Sequence, residues 1–459
     1  MIGLSKFAKI LLVVFACLHL TFAVFFALKT PYRMGGMIIA QGGRPYPAPD
    51  IGAPDERQHA NYIRFLLNNH RLPVLTPGSA DAGEEYESHQ PPLYYVASTI
   101  PALITGQRDV ETEGFGRTVR ILNCFIGGFG IFGVFFALFW ASKREDIALV
   151  GTAFAAMLPM NCALSGTVSN DPLLIAMISW SFAFCAKALG TDEKQAISKA
   201  LIWASIFAGL ACLTKTTGLV SVAGLFLTCF YVRKQLPFAK LAGLALICVL
   251  IASPIWIRNQ LLYGDPLAQK VFKAAFTGSP KKEVIYSIIE ATGAPGSLDV
   301  QYWLNWVGYW TARSFIGVFG YMDIWLNGSG KANSNDPNWF YKAIIAFIAV
   351  AKIAFLIDLR NRGKEVEKSV WLGIAISLLT VLLFVFFNLT YFQAQGRYLL
   401  PALAPISLIL AIGWLKIGRA KLLPVIITVS LVFGGTSLFA LSKLESEFST
   451  RLASSVSPQ

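Results

Sequence analysis

Long apolar runs alternate with short polar connectors along most of the chain. Taking roughly 18–20 apolar residues as the length that crosses a bilayer, eleven runs predict membrane-spanning helices: residues 7–28, 118–141, 147–166, 171–189, 199–214, 216–232, 240–257, 340–357, 369–388, 398–415 and 422–441. The first begins just after Lys6 and Lys9 and is too long for a signal-peptide core, so it reads as a retained helix with its N-terminus in the cytoplasm.

Threading the chain from that start sorts the connectors by charge. The inward loops would be 142–146, 190–198, 233–239, 358–368 and 416–421, and every one carries Lys or Arg. The short outward loops at 167–170, 215 and 389–397 hold only Lys215 and Arg397. This is the asymmetry expected of cytoplasmic loops. It also disposes of the segment "PPLYYVASTIPALITG" (91–106), which as a span would invert every later loop. Short and rich in proline, it fits a helix lying in the outer interface.

Two long segments then face outward, 29–117 and 258–339. The first carries ten of the 26 acidic residues. The second contains Trp303, Trp306 and Trp310 at i, i+3 and i+7, one helical face suited either to the headgroup layer or to packing on the bundle. The organisation expected is an N-terminal module over 1–257, the long loop 258–339, and C-terminal spans over 340–459.

Composition agrees: 55% of residues are hydrophobic and only 14% charged, against about 25% charged in soluble domains. The net charge of +13 follows from the basic inward loops, with no basic soluble domain to suggest nucleic acid. All seven cysteines lie in apolar runs, where they read as packing residues rather than a disulfide framework.

The remaining polar groups cluster at helix ends on the outward side. They are Asp55, Glu56, Arg57, His59 and Tyr62 in "PDERQHANY"; Glu84, Glu85, Glu87, His89 and Gln90 before Pro91-Pro92; Asn170-Asp171; Lys215; Arg258; and Arg397-Tyr398. One such residue at a wet helix end can be inert. Several carboxylates and three cations on one surface are what is needed to activate a hydroxyl and hold an anionic leaving group. No Asp-x-Asp pair supports a metal–nucleotide transferase, and "GGFGIFG" (127–133) lies inside a span, where small residues serve helix packing. Asp55, Glu87 and Asp171 could gather a divalent cation, but they offer no readable ligand spacing.

The ordered set "PDERQHANYI", "YESHQPPLYY", "SNDPLL", "LTKTTGL", "RNQLLYGDPL" and "QGRYLLPALAP" resembles the GT-C class of polytopic, lipid-sugar-dependent glycosyltransferases. The bacterial aminoarabinose (lipid A) transferases and the protein O-mannosyltransferases are the members it looks most like. The resemblance implies an all-α bundle of about eleven transmembrane helices, with interfacial helices in the two long extracytoplasmic loops. It implies an inverting transfer from a polyprenyl-phosphate sugar to a hydroxyl or phosphate of a lipid, glycan or protein acceptor at the outer face of a bacterial cytoplasmic membrane. Asp55 would be the base or the residue that orients the acceptor hydroxyl, with Glu56 beside it a further catalytic or merely orienting carboxylate. Glu87, with Glu84 and Glu85 as close rivals, and Asp171 would be further catalytic carboxylates, and Lys215, Arg258 and Arg397 the phosphate-binding cations. Arg57, His59, Tyr62, His89, Gln90, Asn170 and Tyr398 would line the substrate cavity. Relatives often carry His or Lys immediately before the prolines, where this chain has Gln90. A transporter or flippase is the rival from another class. Against it, the sequence shows no internal repeat, and Lys352 is the one charge well inside a predicted span.

Overall fold

The computed structural model describes residues 3–39, 45–276, 280–293, 295–328, 338–419 and 421–456. Each apolar run forms a helix, as expected of a chain whose backbone must satisfy its own hydrogen bonds in lipid. Among the described residues, nine helices are long and apolar enough to cross a membrane: Lys6–Lys29, Glu113–Ser142, Asp171–Leu189, Lys194–Cys212, Phe238–Tyr263, Trp339–Arg362, Lys368–Asn388, Gly396–Ile417 and Leu422–Leu452. The predicted span 216–232 is a shorter apolar helix, Thr216–Tyr231.

The predicted span 147–166 is not straight. It consists of Glu145–Met157 and Pro159–Ser165, bent by 61°. Pro159 has no N–H to continue the ladder, and the carbonyls freed at the break find side chains instead. Asn161 donates to Ala155 O at 2.9 Å, and His19 Nδ1 lies 3.0 Å from Ala156 O. His19, a buried polar residue in the first helix, also meets Ser165 Oγ at 3.1 Å.

The glycines of "GGFGIFG" do what small residues do at helix crossings. A Cβ on Gly127 would sit 2.3 Å from Ser165 Oγ, and one on Gly130 3.3 Å from the Ala176 Cβ. Six of the seven cysteines are buried, and all are free.

The two long connectors cover one end of the bundle. The first forms a small antiparallel hairpin, Gly36–Ile39 with Pro45–Ala48, then helices Glu56–Asn69 and Leu93–Thr105. The second forms Gln269–Ala275, Lys282–Ala291 and Tyr309–Gly317, with a hairpin of Val318–Phe319 and Ile324–Trp325. Just before Tyr309 the backbone widens to π-helical pairing over Tyr302–Gly308. There Trp306 and Trp310 pack edge-on against Phe392 at 5.7 and 6.4 Å, so these indoles serve the bundle.

Candidate active site

The residues that the charge alternation assigns to one side of the membrane converge at this covered end, around a cavity of about 1320 Å³. Asp55, His59, Glu87, His89, Gln90, Asp171, Lys215, Arg397 and Tyr398 all line it.

Asp55 stands immediately before helix Glu56–Asn69 in a left-handed conformation, φ 65°. An Asp there usually caps its own helix. This one makes no cap bond; its carboxylate instead accepts from the Tyr86 hydroxyl and from Arg397 Nη2, the latter at 2.5 Å. Strained backbone of this kind persists where the surroundings over-determine it. Burial alone would raise the Asp55 carboxyl, but Arg397 and Tyr86 outweigh it and hold the group below the usual carboxylate range.

Arg397 is delivered by a tight turn. Gly396 donates its N–H to Ser314 Oγ at 2.7 Å, and a Cβ on that glycine would lie 2.2 Å from the Phe315 nitrogen. Facing this pair is a second one. Asp171 opens helix Asp171–Leu189, where the helix dipole favours a carboxylate, and Lys215 reaches it at 2.6 Å from the turn after helix Lys194–Cys212. That turn is tied to the Pro91-Pro92 segment by the Leu93 N–H to Leu213 O bond, 2.9 Å.

Glu87 is the third carboxyl in the cavity. No Lys or Arg ion-pairs with it among the described residues; its neighbours are the Tyr95 hydroxyl at 3.4 Å and His59 Nδ1 at 3.9 Å. Burial and the nearby Asp55 charge push its pKa up to about 8. His59, pushed down to about 3 by burial and by Lys215, is a neutral imidazole. Its Nδ1 lies 2.9 Å from the Tyr95 hydroxyl, which also accepts from Asn170 Nδ2 at 3.5 Å. His89 likewise stays neutral, its Nδ1 2.6 Å from Tyr86 O and its ring on Phe272.

Five sequence candidates do not line the cavity. Glu56 is fully buried, bound by Arg120 at 2.8 and 2.6 Å and by the Val168 N–H at 2.7 Å. Its oxygens are committed to these partners, away from the cavity. Arg120 also binds the carbonyls of Ala27, Thr30 and Pro31, so the pair clamps the end of the first helix to the start of Glu56–Asn69. Arg258 donates to Pro73 O at 2.5 Å and holds the first connector in place. Arg57 sits outside with Glu84 and Glu111. Tyr62 stacks on Tyr95 with ring centroids 3.7 Å apart, and Asn170 holds the Tyr95 oxygen and Thr214 O, so both stand one layer behind the wall. Of the three rival glutamates, only Glu87 lines the cavity; Glu84 bonds Asn61.

Sequence reasoning missed Tyr86, Tyr95 and Lys273. Lys273 lines the cavity from helix Gln269–Ala275. Nothing in their spacing marks them, since each acts through a distant element. One flank of the cavity is aromatic: Phe272, Phe276, Phe387 and Tyr391 follow one another at 4.8, 6.3 and 5.7 Å. Among the described residues, no three His, Cys, Asp or Glu side chains gather to hold a metal ion. Asp55 and Asp171 each ion-pair with a cation, Arg397 and Lys215 respectively.

This architecture is the GT-C fold. An ArnT structure from Cupriavidus metallidurans aligns with 95% of this chain and 76% of its own, with a TM-score of 0.55 and 14% identity. The same protein bound to undecaprenyl phosphate aligns with 96% of this chain and 78% of its own, with a TM-score of 0.54 and 15% identity. The oligosaccharyltransferase AglB of Archaeoglobus fulgidus, in complex with an inhibitory peptide and a dolichol-phosphate, aligns with a TM-score of 0.55 at 12% identity. That alignment covers 96% of this chain but only 56% of AglB. The chain belongs to the family described as "Predicted membrane protein (DUF2142)", whose sequence model matches residues 74–406. No curated protein matches it in sequence.

Proposed function

We propose that this protein is an inverting glycosyltransferase that moves a sugar from a polyprenyl-phosphate to an acceptor hydroxyl, at the extracytoplasmic face of a bacterial cytoplasmic membrane. The observation that carries this reading is the placement of an ionised Asp55, oriented by Arg397, in one cavity with the Lys215–Asp171 pair and an aromatic flank. The flank meets helix Lys368–Asn388 at Phe387, and the adjoining Phe386 is 66% exposed. A lipid chain reaching the cavity from the bilayer would lie there.

In this reading the acceptor hydroxyl gives its proton to Asp55 as its oxygen attacks the anomeric carbon from the face opposite the phosphate. The displacement is direct, so configuration inverts once, by the logic of an inverting glycosidase. The electron pair of the broken bond stays on the phosphate oxygen. Arg397, Lys215 and Lys273 supply the fixed positive charge that favours this in a partly dry site. Lys273 matters here because the other two cations each already face a carboxylate.

The test is transfer by the purified protein from a panel of polyprenyl-phosphate sugars, read as release of the lipid phosphate and a glycosylated acceptor. Asp55→Asn should lower both by about 10²–10⁴-fold. Labelled lipid crossing vesicles containing the protein with no covalent product would refute the transferase reading and favour a flippase.

A further inference from the structure

The transferase reading gives Asp55 a role but leaves Glu87, Tyr95, His59 and Asn170 without one. Their hydrogen-bond inventory is informative. A tyrosine hydroxyl has one proton to give and can accept two. The Tyr95 oxygen has three neighbours: Asn170 Nδ2 at 3.5 Å, His59 Nδ1 at 2.9 Å and Glu87 Oε2 at 3.4 Å. Asn170 Nδ2 can only donate. That leaves Tyr95 one bond to give and one more to accept, shared between His59 and Glu87.

Two of the arrangements that satisfy every partner are of interest. In one, a neutral Glu87 donates to Tyr95, Tyr95 donates to Nδ1, and the imidazole proton sits on Nε2. In the other, Nδ1–H donates to Tyr95 and Tyr95 donates to a Glu87 carboxylate. The heavy atoms are the same, and the arrangements differ by one proton. Passing from the first to the second moves a proton from Glu87 to Tyr95 and another from Tyr95 to Nδ1, and releases one from Nε2. Both Glu87 and His59, the two ends of the chain, line the cavity.

We propose that Glu87, Tyr95 and His59 form a proton relay that delivers a proton to the departing phosphate oxygen, with Asn170 as the positioning residue for Tyr95. The proposal rests on the transferase reading. As the sugar–oxygen bond breaks, its electron pair remains on the phosphate oxygen, and that oxygen takes the relay's proton while Asp55 takes the acceptor's. Asp55 then ends neutral and Glu87 ionised. One proton passing back through cavity water after product release restores both.

The charges around Glu87 suit a resting neutral acid. Asp55 and Asp171 favour its protonation, Lys215 and Arg397 oppose it, and His59 is neutral, so with burial its pKa lies near 8. Two carboxyls driven apart in this way, with Asp55 below the usual range, are suited to base and acid roles.

Infrared difference spectra of the detergent-purified protein, taken without donor between about pH 6 and about pH 10, read the relay directly, since a carboxyl titrates there only when strongly shifted. A protonated-carboxyl band should be lost on the alkaline side and be missing from Glu87→Gln. In Tyr95→Phe the band should remain but shift, because its hydroxyl partner is gone. In a transfer assay, Glu87→Gln should lower kcat by about a hundred-fold and lose the fall in rate above about pH 8. A wild-type spectrum without the band, a band unchanged in Glu87→Gln or unshifted in Tyr95→Phe, or an alkaline limb that survives Glu87→Gln would each overturn the relay. Absence of transfer by the wild type would instead refute the transferase reading and the delivery step with it, while the donor-free spectra test the chain itself.

Discussion

Asp55 and Arg397, 342 positions apart in the sequence, meet through the Asp55 Oδ2 and Arg397 Nη2 atoms at 2.5 Å at the wall of the cavity. The contact joins the first connector to the start of helix Gly396–Ile417 and keeps the carboxylate ionised. Asp55→Asn removes the charge with little change of shape. Transfer should fall by about 10²–10⁴-fold while the protein still purifies as a folded bundle, as checked by a donor-dependent assay beside a thermal melt.

The same contact sets the acid side of the pH profile. In the proposed reaction Asp55 works as its carboxylate and its pKa is depressed, so activity should be lost only as pH falls through that lowered value, below the ordinary Asp pKa of about 3.9. Arg397→Gln removes the chief cation holding it there and leaves burial to act. The acid limb should move up toward neutrality, visible in kcat/KM measured against pH.

Lys215 and Asp171 are coupled at 2.6 Å, with side chains 17% and 9% exposed. Removing either leaves the other buried without its partner, so the two single variants should each cost more than the pair's net contribution. Lys215→Met should raise donor KM, and adding Asp171→Asn should restore part of the lost stability. A double-mutant cycle on melting and on KM measures both.

Glu56 and Arg120 predict a stability phenotype. Glu56→Gln leaves a buried guanidinium facing a neutral partner, at a cost of about 3–5 kcal/mol. The first helix and the Asp55 segment should loosen together, giving a lower melting midpoint and poor membrane yield. Arg258→Ala should likewise act on stability, through the freed Leu72 and Pro73 carbonyls, and leave donor KM within about two-fold if Arg258 is no phosphate ligand.

Gly396→Ala puts a methyl group 2.2 Å from the Phe315 backbone nitrogen, a contact that backbone must relieve by moving. Since Gly396 carries Arg397, activity should drop more than stability, and the acid limb should shift in the same direction as in Arg397→Gln. Titrating both variants side by side checks this.

The spans were legible because a bilayer imposes a length and a polarity on each helix. The eleven apolar runs became helices, most of them within about six residues of their expected limits, while the last, expected to end at 441, continues to Val456. The break at Pro159 was overlooked because hydropathy does not register a missing N–H. The wall-forming candidates Asp55, Glu87, Asp171, Lys215 and Arg397 stood out as polar words at helix ends, a pattern that also contained Glu56 and Arg258. What separates the two groups is the direction of each side chain. Glu56 follows Asp55 directly, yet it turns inward to Arg120 while Asp55 turns to the cavity.

The sequence by itself determined which segments form spans and which ends of them bear the polar residues, since both follow from the cost of placing charge and unpaired backbone in lipid. Only the tertiary structure decided which of those residues share the cavity and which are spent as clamps. It also decided that Tyr86, Tyr95 and Lys273 belong with them. Pairing across hundreds of positions depends on packing, and packing turns on contacts that no local pattern records.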